Sequence, residues 1–143
     1  MIIKQLSVFV ENKKGRMAEI TDILAKNDID IRALSIADTT DYGILRLIVD
    51  NPQKAQETLK SAGMTVTLTG VIAIAIPDKP GGLSSAVKVL SEKDIQIEYM
   101  YAFLNPTDDT AFVIMRVENE DNAIDALTKG GIRLMKEEDI YTI

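Results

Sequence analysis

The stretch Glu11-Asn12-Lys13-Lys14-Gly15-Arg16-Met17, running on to Asp28-Ile29-Asp30-Ile31, is read a second time as Pro77-Asp78-Lys79-Pro80-Gly81-Gly82-Leu83, running on to Asp94-Ile95-Gln96-Ile97. The offset is 66 residues, Glu11 to Pro77. Lys13/Lys79, Gly15/Gly81, Leu24/Leu90, Asp28/Asp94, Ile29/Ile95 and Ile31/Ile97 are identical pairs. An insertion of two residues then moves the offset to 68, Asp41 to Asp109, and Val49/Val117, Asn51/Asn119, Ala55/Ala123, Leu59/Leu127 and Gly63/Gly131 continue the match. One unit of about 70 residues has been duplicated, so the function is one that a pair of like modules can build. The repeat divides the chain into residues 1–69 and 70–143.

Outward from the repeated loop, residues 2–10 alternate, with Leu6, Val8 and Val10 on one parity and Gln5, Ser7 and Phe9 on the other, which predicts a strand with one core face. Met17, Ile20, Leu24 and Asn27 recur at helical spacing and predict a helix over 16–27. Residues 29–38 alternate again, but the apolar parity changes from Ile29 and Ile31 to Leu34 and Ile36, which predicts a bulge near Arg32 and Ala33. A strand at 43–50 follows the turn Asp38–Asp41. Asn51-Pro52 starts a helix to Ala62, with Gly63 just past its end. A strand at 64–69 completes a βαββαβ unit. The second unit predicts a strand at 71–76, a helix at 83–93, strands at 95–104 and 110–117, a helix at 120–129 and a strand at 132–138. Gly70 alone separates the two, too short a junction for a flexible linker.

The fold class is therefore α+β: two ferredoxin-like βαββαβ units, each an antiparallel sheet with its helices on one face. That arrangement leaves Ile44, Arg46 and Ile48 on an outer face, with Phe112, Ile114 and Arg116 as counterparts. Apolar residues there call for cover, so a homodimer through this face or through sheet edges is expected. The alternative is a partly apolar face that tolerates water.

The formal charge of −6, with no basic run, argues against a nucleic-acid surface. The chain has no cysteine and no histidine, which removes thiol nucleophiles, imidazole bases, disulfides and the usual zinc and copper ligands. No catalytic residue, metal ligand or cofactor is expected, and pairs such as Glu137 and Glu138 read as solvated strand-end residues. No apolar run approaches membrane-spanning length and the first residues lack a signal-peptide pattern, so a cytoplasmic protein without membrane contact is expected.

The glycine loops are the most specific local feature. Each ends at a helix start, where backbone N–H groups and the helix dipole favour a small carboxylate and glycine allows close approach. Asn12 or Asp78 offers the complementary acceptor for an ammonium group. The competing reading is that Asn, Asp and Gly only shape a turn.

A βαββαβ unit whose first loop reads Asp or Asn, two residues, Gly, one residue, then Leu or Met resembles the ACT domain, a small-molecule sensing module of amino-acid metabolism. The resemblance covers nearly the whole chain, once per half. Asp78, Pro80, Gly81 and Leu83 follow the family's loop pattern; the first copy has Lys14 for proline and Met17 for leucine. Leu6 to Gly15, with Ile31, Leu34 and Asp38-Thr39-Thr40-Asp41, is also similar to the amino-terminal domain of the regulatory subunit of acetolactate synthase.

The ACT resemblance implies a free amino acid bound between paired units, the glycine loop of one facing the second strand of the other. Carried over by position, the contacts are Asn12, Lys13, Gly15, Arg16 and Met17 in the first copy. In the second they are Asp78, Pro80, Gly81, Gly82 and Leu83. The second strands would add Leu34, Ser35 and Ile36, or Tyr99, Met100 and Tyr101. The function expected is a non-catalytic, allosteric amino-acid sensor. The alternatives are a regulatory subunit docked on a biosynthetic enzyme such as acetolactate synthase, and a purely structural dimerisation module.

Overall fold

The computed structural model describes residues 1–11, 13–38, 41–104 and 109–142. Its elements are β1 (Ile2–Glu11), α1 (Arg16–Lys26), β2 (Ile31–Asp38), β3 (Tyr42–Val49), α2 (Pro52–Ser61), β4 (Thr65–Pro77), α3 (Gly82–Glu92), β5 (Ile97–Ala102), β6 (Thr110–Val117), α4 (Glu120–Lys129), β7 (Arg133–Leu134) and α5 (Glu137–Tyr141). The chain forms two compact units, Lys4–Thr69 and Met1–Ile3 with Gly70–Ile143.

In the unit Lys4–Thr69 the strands lie in the order β2-β3-β1, with the start of β4 beside β1. In the other unit β4 has β7 on one side and β6, then β5, on the other. Both are the 4-1-3-2 order of a ferredoxin-like βαββαβ module, with β1–β3, β2–β3, β4–β6, β4–β7 and β5–β6 paired antiparallel. Hydrophobic alternation builds one core per unit. Leu6, Val8, Leu45, Leu47 and Val49 pack against Ile20, Leu24, Ala55 and Leu59 of α1 and α2. Ile72, Ile74, Val113, Met115 and Val117 pack against Ala86, Leu90, Ala123 and Leu127 of α3 and α4.

The copies share their punctuation as well as their core. Asn51 and Asn119 each cap a helix, their side-chain oxygens accepting the Lys54 and Asn122 amides. Gly63 and Gly131 leave the same helices at φ 87° and 77°, a left-handed exit that glycine makes without a Cβ clash. Asp28 and Asp94 both sit at φ 56°, and the Ile29 and Ile95 amides that follow donate back to Leu24 and Leu90. Those bonds tie residues 29 and 95 to helix ends, which is why β2 and β5 start two residues later than the alternation predicts. The bulge expected near Arg32 is a register shift between Ile31 and Ala33, and β5 repeats it between Ile97 and Tyr99.

Three expectations are corrected. Residues 64–69 and 71–76 are not two strands parted by Gly70 but one strand, β4, in which Gly70 continues the extended chain. The strand expected over 132–138 ends at Leu134. The Met135 amide donates to the Ala73 carbonyl, and Lys136 then caps α5, its amide donating to the Asp139 carboxylate at 2.9 Å. Glu137, Glu138 and Asp139 fill the first turn of that helix, where the dipole favours acids, so Glu137 and Glu138 are helix-start rather than strand-end residues.

The third correction concerns the outer sheet face. Ile48 (1% exposed), Ile114 (0%) and Phe112 (8%) are already buried within the single chain, so they do not require a second copy. Phe112 meets Phe103 edge-on, with ring centroids 5.8 Å apart. Leu134 joins the helix-side core, so alternation turns the buried Met135 to the opposite side, where Ala73 lies. Apolar exposure is found elsewhere: in the first unit in Ile36 and in Phe9 and Tyr42, whose rings are 6.1 Å apart, and in the second in Leu83, Met100 and Leu104.

Candidate functional site

The two glycine loops are built by the same bonds. The Lys13 amide donates to the Glu11 carbonyl at 2.7 Å and the Lys79 amide to the Pro77 carbonyl at 3.0 Å, a tight reversal at each strand end. Gly15 (φ 85°) and Gly81 (φ 89°) then cap α1 and α3 in the left-handed region. Their carbonyls accept the Glu19 and Ser85 amides. A Cβ at either glycine would meet open space, so the requirement is conformational. Gly82 differs. A Cβ there would stand 2.1 Å from the Pro77 carbonyl oxygen, which makes Gly82 a packing residue holding α3 against the end of β4.

In the first unit the loop borders a cleft of about 360 Å³. Val10, Gly43 and Asp38 form one cross-strand row of its wall, and Leu45 with Ile36 the next. Gly43 has no side chain between its two neighbours, which leaves the space open. Lys13, Arg16 and Met17 close the cleft from the loop and α1, with Glu11 at the end of β1.

The charges at its rim are paired. The Lys13 ammonium is 2.9 Å from a Glu11 carboxylate oxygen, and Arg16 reaches the same oxygen at 3.8 Å. Arg16 also holds Glu19 at 3.0 Å, one helical turn on. The hydrogen bond from Lys13, its charge, and then the charge of Arg16 hold the Glu11 carboxyl below the ordinary carboxylate range. The cleft thus presents two cations, two carboxylates and an apolar wall, chemistry suited to a dipolar small molecule of low bulk.

Of the residues singled out from sequence, Lys13, Arg16, Met17 and Ile36 come together here. Asn12 lies outside the described residues. Gly15 shapes the loop without lining the cleft. Leu34 is one row further in, paired with Leu47 and packed on the core, and Ser35 points to the other sheet face, in register with Arg46. Within the second unit the two tyrosines and the unit's own loop lie on different faces. Tyr99 and Tyr101 stack with centroids 6.5 Å apart on the face opposite the helices, in register with Arg116 and Ile114. The loop of Asp78, Pro80, Gly81, Gly82 and Leu83 leads into α3 on the other face. Met100 turns to that helix side, opposite Met115. Asp78 and Pro80 are exposed, and the Asp78 amide donates to the Asp109 carbonyl.

Sequence reasoning missed Glu11, Asp38 and Gly43. The signals were there: a glycine inside an apolar strand marks close approach or open space, and Asp38 ends β2 beside it. A larger hollow, about 570 Å³, lies at the other end of the second unit between the last turn of α3 and the start of β5. Among the described residues its charges are Asp94 and Glu118, the latter already accepting the Gln96 amide, and neither glycine loop lines it. Size alone is a poor guide, and the mixed charges favour the smaller cleft. Among the described residues no group of three His, Cys, Asp or Glu side chains is placed to hold a metal ion, and no helix is long and apolar enough to cross a membrane.

The strand order, the paired helices and the glycine loop at each first helix define a tandem of ferredoxin-like modules. The sequence profile of the ACT domain pair matches residues 1–143, and the chain belongs to that family, whose domains are regulatory, non-catalytic modules. Among solved structures the chain is similar to protein BT0572 from Bacteroides thetaiotaomicron, with 42% identity over 100% of this chain and 98% of that one and a TM-score of 0.94. It shares its fold with the regulatory subunit of aspartate kinase from Thermus thermophilus, at 16% identity, 89% and 91% coverage and a TM-score of 0.67. The corresponding subunit from Thermus flavus aligns at 15% identity, 90% and 92% coverage and a TM-score of 0.61. No curated protein matches the chain.

Proposed function

We propose that the chain is a non-catalytic regulatory protein of the cytoplasm that binds a free amino acid at a glycine-loop cleft. Binding would favour one arrangement of its units, or of a homodimer, over another. The observation that carries this reading is the cleft of the first unit, where Lys13, Arg16 and Asp38 stand over Val10, Ile36 and Leu45. An α-amino acid carries the matching opposite charges on one small frame.

Thermal unfolding against each of the twenty amino acids tests it. A ligand at about 100 times its Kd adds about 2.7 kcal/mol, and a chain of this size shifts by several degrees. A shift with one amino acid or a related few supports the reading; no shift with any, after exhaustive dialysis, overturns it.

A second reading is a subunit that docks onto an amino-acid biosynthetic enzyme. It is favoured by the exposed Phe9, Ile36 and Tyr42 and by the fold shared with aspartate kinase regulatory subunits. Acetolactate synthase is the enzyme suggested by the Leu6–Gly15 resemblance. Co-purification of a catalytic subunit at fixed stoichiometry from native cells would support it.

A further inference from the structure

We infer that the two copies have divided their roles: the ligand is an α-amino acid with an aliphatic side chain, taken by the first unit alone, and Glu11 is an internal competitor for its carboxylate. The inference deepens the amino-acid-binding reading and rests on it.

The division follows from what the repeat places at matching positions. Glu11, Lys13, Arg16 and Asp38 border the first cleft. At offset 66 their counterparts are Pro77, Lys79, Gly82 and Leu104, so only one charge of four survives. A zwitterion must exchange the hydration of both its charges for fixed partners, and the second loop, with only the exposed Asp78 and Lys79, has glycine where the first places Arg16 and leucine where it places Asp38. Gly43, which opens the first cleft, is Ala111 in the second unit at offset 68.

The side-chain class follows from the wall. Val10, Met17, Ile36 and Leu45 line it, and among the described residues that line it there is no aromatic ring, amide or hydroxyl side chain. A polar ligand side chain laid on this wall would lose water against apolar groups. At about 360 Å³ the cleft is at the small end of the range of about 300–1,000 Å³ typical of small-molecule pockets, which suits a ligand of few atoms.

The competitor is visible in the ion pairs. A Glu11 carboxylate oxygen already rests between Lys13 at 2.9 Å and Arg16 at 3.8 Å, the place a ligand carboxylate would take. These side chains are exposed or partly so, which makes the pairing weak and exchangeable. Arg16, still held to Glu19 through one terminal nitrogen, then has the other to turn on the ligand carboxylate. Asp38, across the cleft on β2, receives the ammonium group.

Titration calorimetry on the full chain with L-leucine as the probe tests each part. Losing one charge-assisted contact predicts about tenfold weaker binding for Arg16→Gln, for L-leucinamide and for isocaproate, with Arg16→Lys between Arg16→Gln and wild type. Removing the competitor predicts about threefold tighter binding for Glu11→Gln. Lys79→Gln should leave the Kd unchanged. Weakening by Lys79→Gln with Arg16→Gln unaffected would place the ligand in the second unit and overturn the division. Weaker binding in Glu11→Gln would make Glu11 a ligand contact rather than a competitor. Tighter binding of L-aspartate or L-lysine than of L-leucine would overturn the aliphatic class. Each of these failures leaves amino-acid binding standing, whereas a wild-type chain that binds none of the twenty overturns both.

Discussion

At Gly15 and Gly81 the two copies hold the same turn, φ 85° and 89°, yet the next residue is Arg16 in one unit and Gly82 in the other. The second loop is tighter: the Gly82 amide donates to the Lys79 carbonyl at 3.0 Å, where the Arg16 amide reaches Lys13 only at 3.4 Å. With the helix start drawn onto the strand end, a side chain at position 82 has no room. The looser first loop accepts an arginine and so gains a cation at the cleft. A slight relaxation of one turn thus decides which copy can offer an arginine to a ligand, although both expose the same helix start.

The comparison breaks most visibly in the cores, where the copies should be equal. Leu24 and Leu90 occupy the same position and are both buried, so Leu→Ala at either should cost about 2–5 kcal/mol through lost burial and the cavity left behind. Urea unfolding monitored by hydrogen exchange in each unit would check this. A loss below about 1 kcal/mol at one site would show that its unit repacks where the other does not.

The loops should then diverge. Gly82→Ala forces a Cβ against the Pro77 carbonyl and should destabilise by about 1–3 kcal/mol, the range for inserting atoms into packed space. Gly15→Ala and Gly81→Ala meet open space and carry only the left-handed penalty, about 1–2 kcal/mol each. Chemical denaturation of the three variants would rank them. Equal losses at Gly15 and Gly81 with a larger one at Gly82 sharpen the comparison, and a neutral Gly82→Ala would show that the second loop can relax to the shape of the first.

Most of this architecture was legible because the repeat reports each element twice. The Asn51/Asn119 caps, the Gly63/Gly131 exits and the parity change at Arg32 are local signals, and local signals survive in sequence. What stayed hidden depends on partners distant in the chain. Gly70 reads as a break but continues β4, and residues 132–138 alternate like a strand although pairing stops at Leu134. The acids at 137–139 were the missed helix-start signal. The faces of Tyr99 and Tyr101 follow from the shift between Ile97 and Tyr99, since a single slipped residue exchanges the two sides of a strand. The cleft was half legible: Lys13, Arg16, Met17 and Ile36 could be named, but Asp38 and Gly43 join them only through strand register.

The smallest expected effect is also the most selective. Lys13 and Arg16 hold the Glu11 carboxyl below its ordinary value, and Pro77 stands at the matching position, so the second unit has no equivalent titration. A carboxyl whose folded value is depressed adds stability that is present above the unfolded value of 4.5 and is lost as pH falls through the lower folded value. The group is fully exposed and its effect is screened by salt, so the sensitive observable is the titration itself rather than the unfolding curve. Carbon-detected NMR should find Glu11 titrating below the ordinary value of 4.5. Lys13→Gln, which removes the largest cause, should return it most of the way, and Arg16→Gln less far. An unmoved midpoint in Lys13→Gln would mean that the ion pair at the cleft rim is not populated in solution, and Glu11 would then have no hold on the cations it is set against.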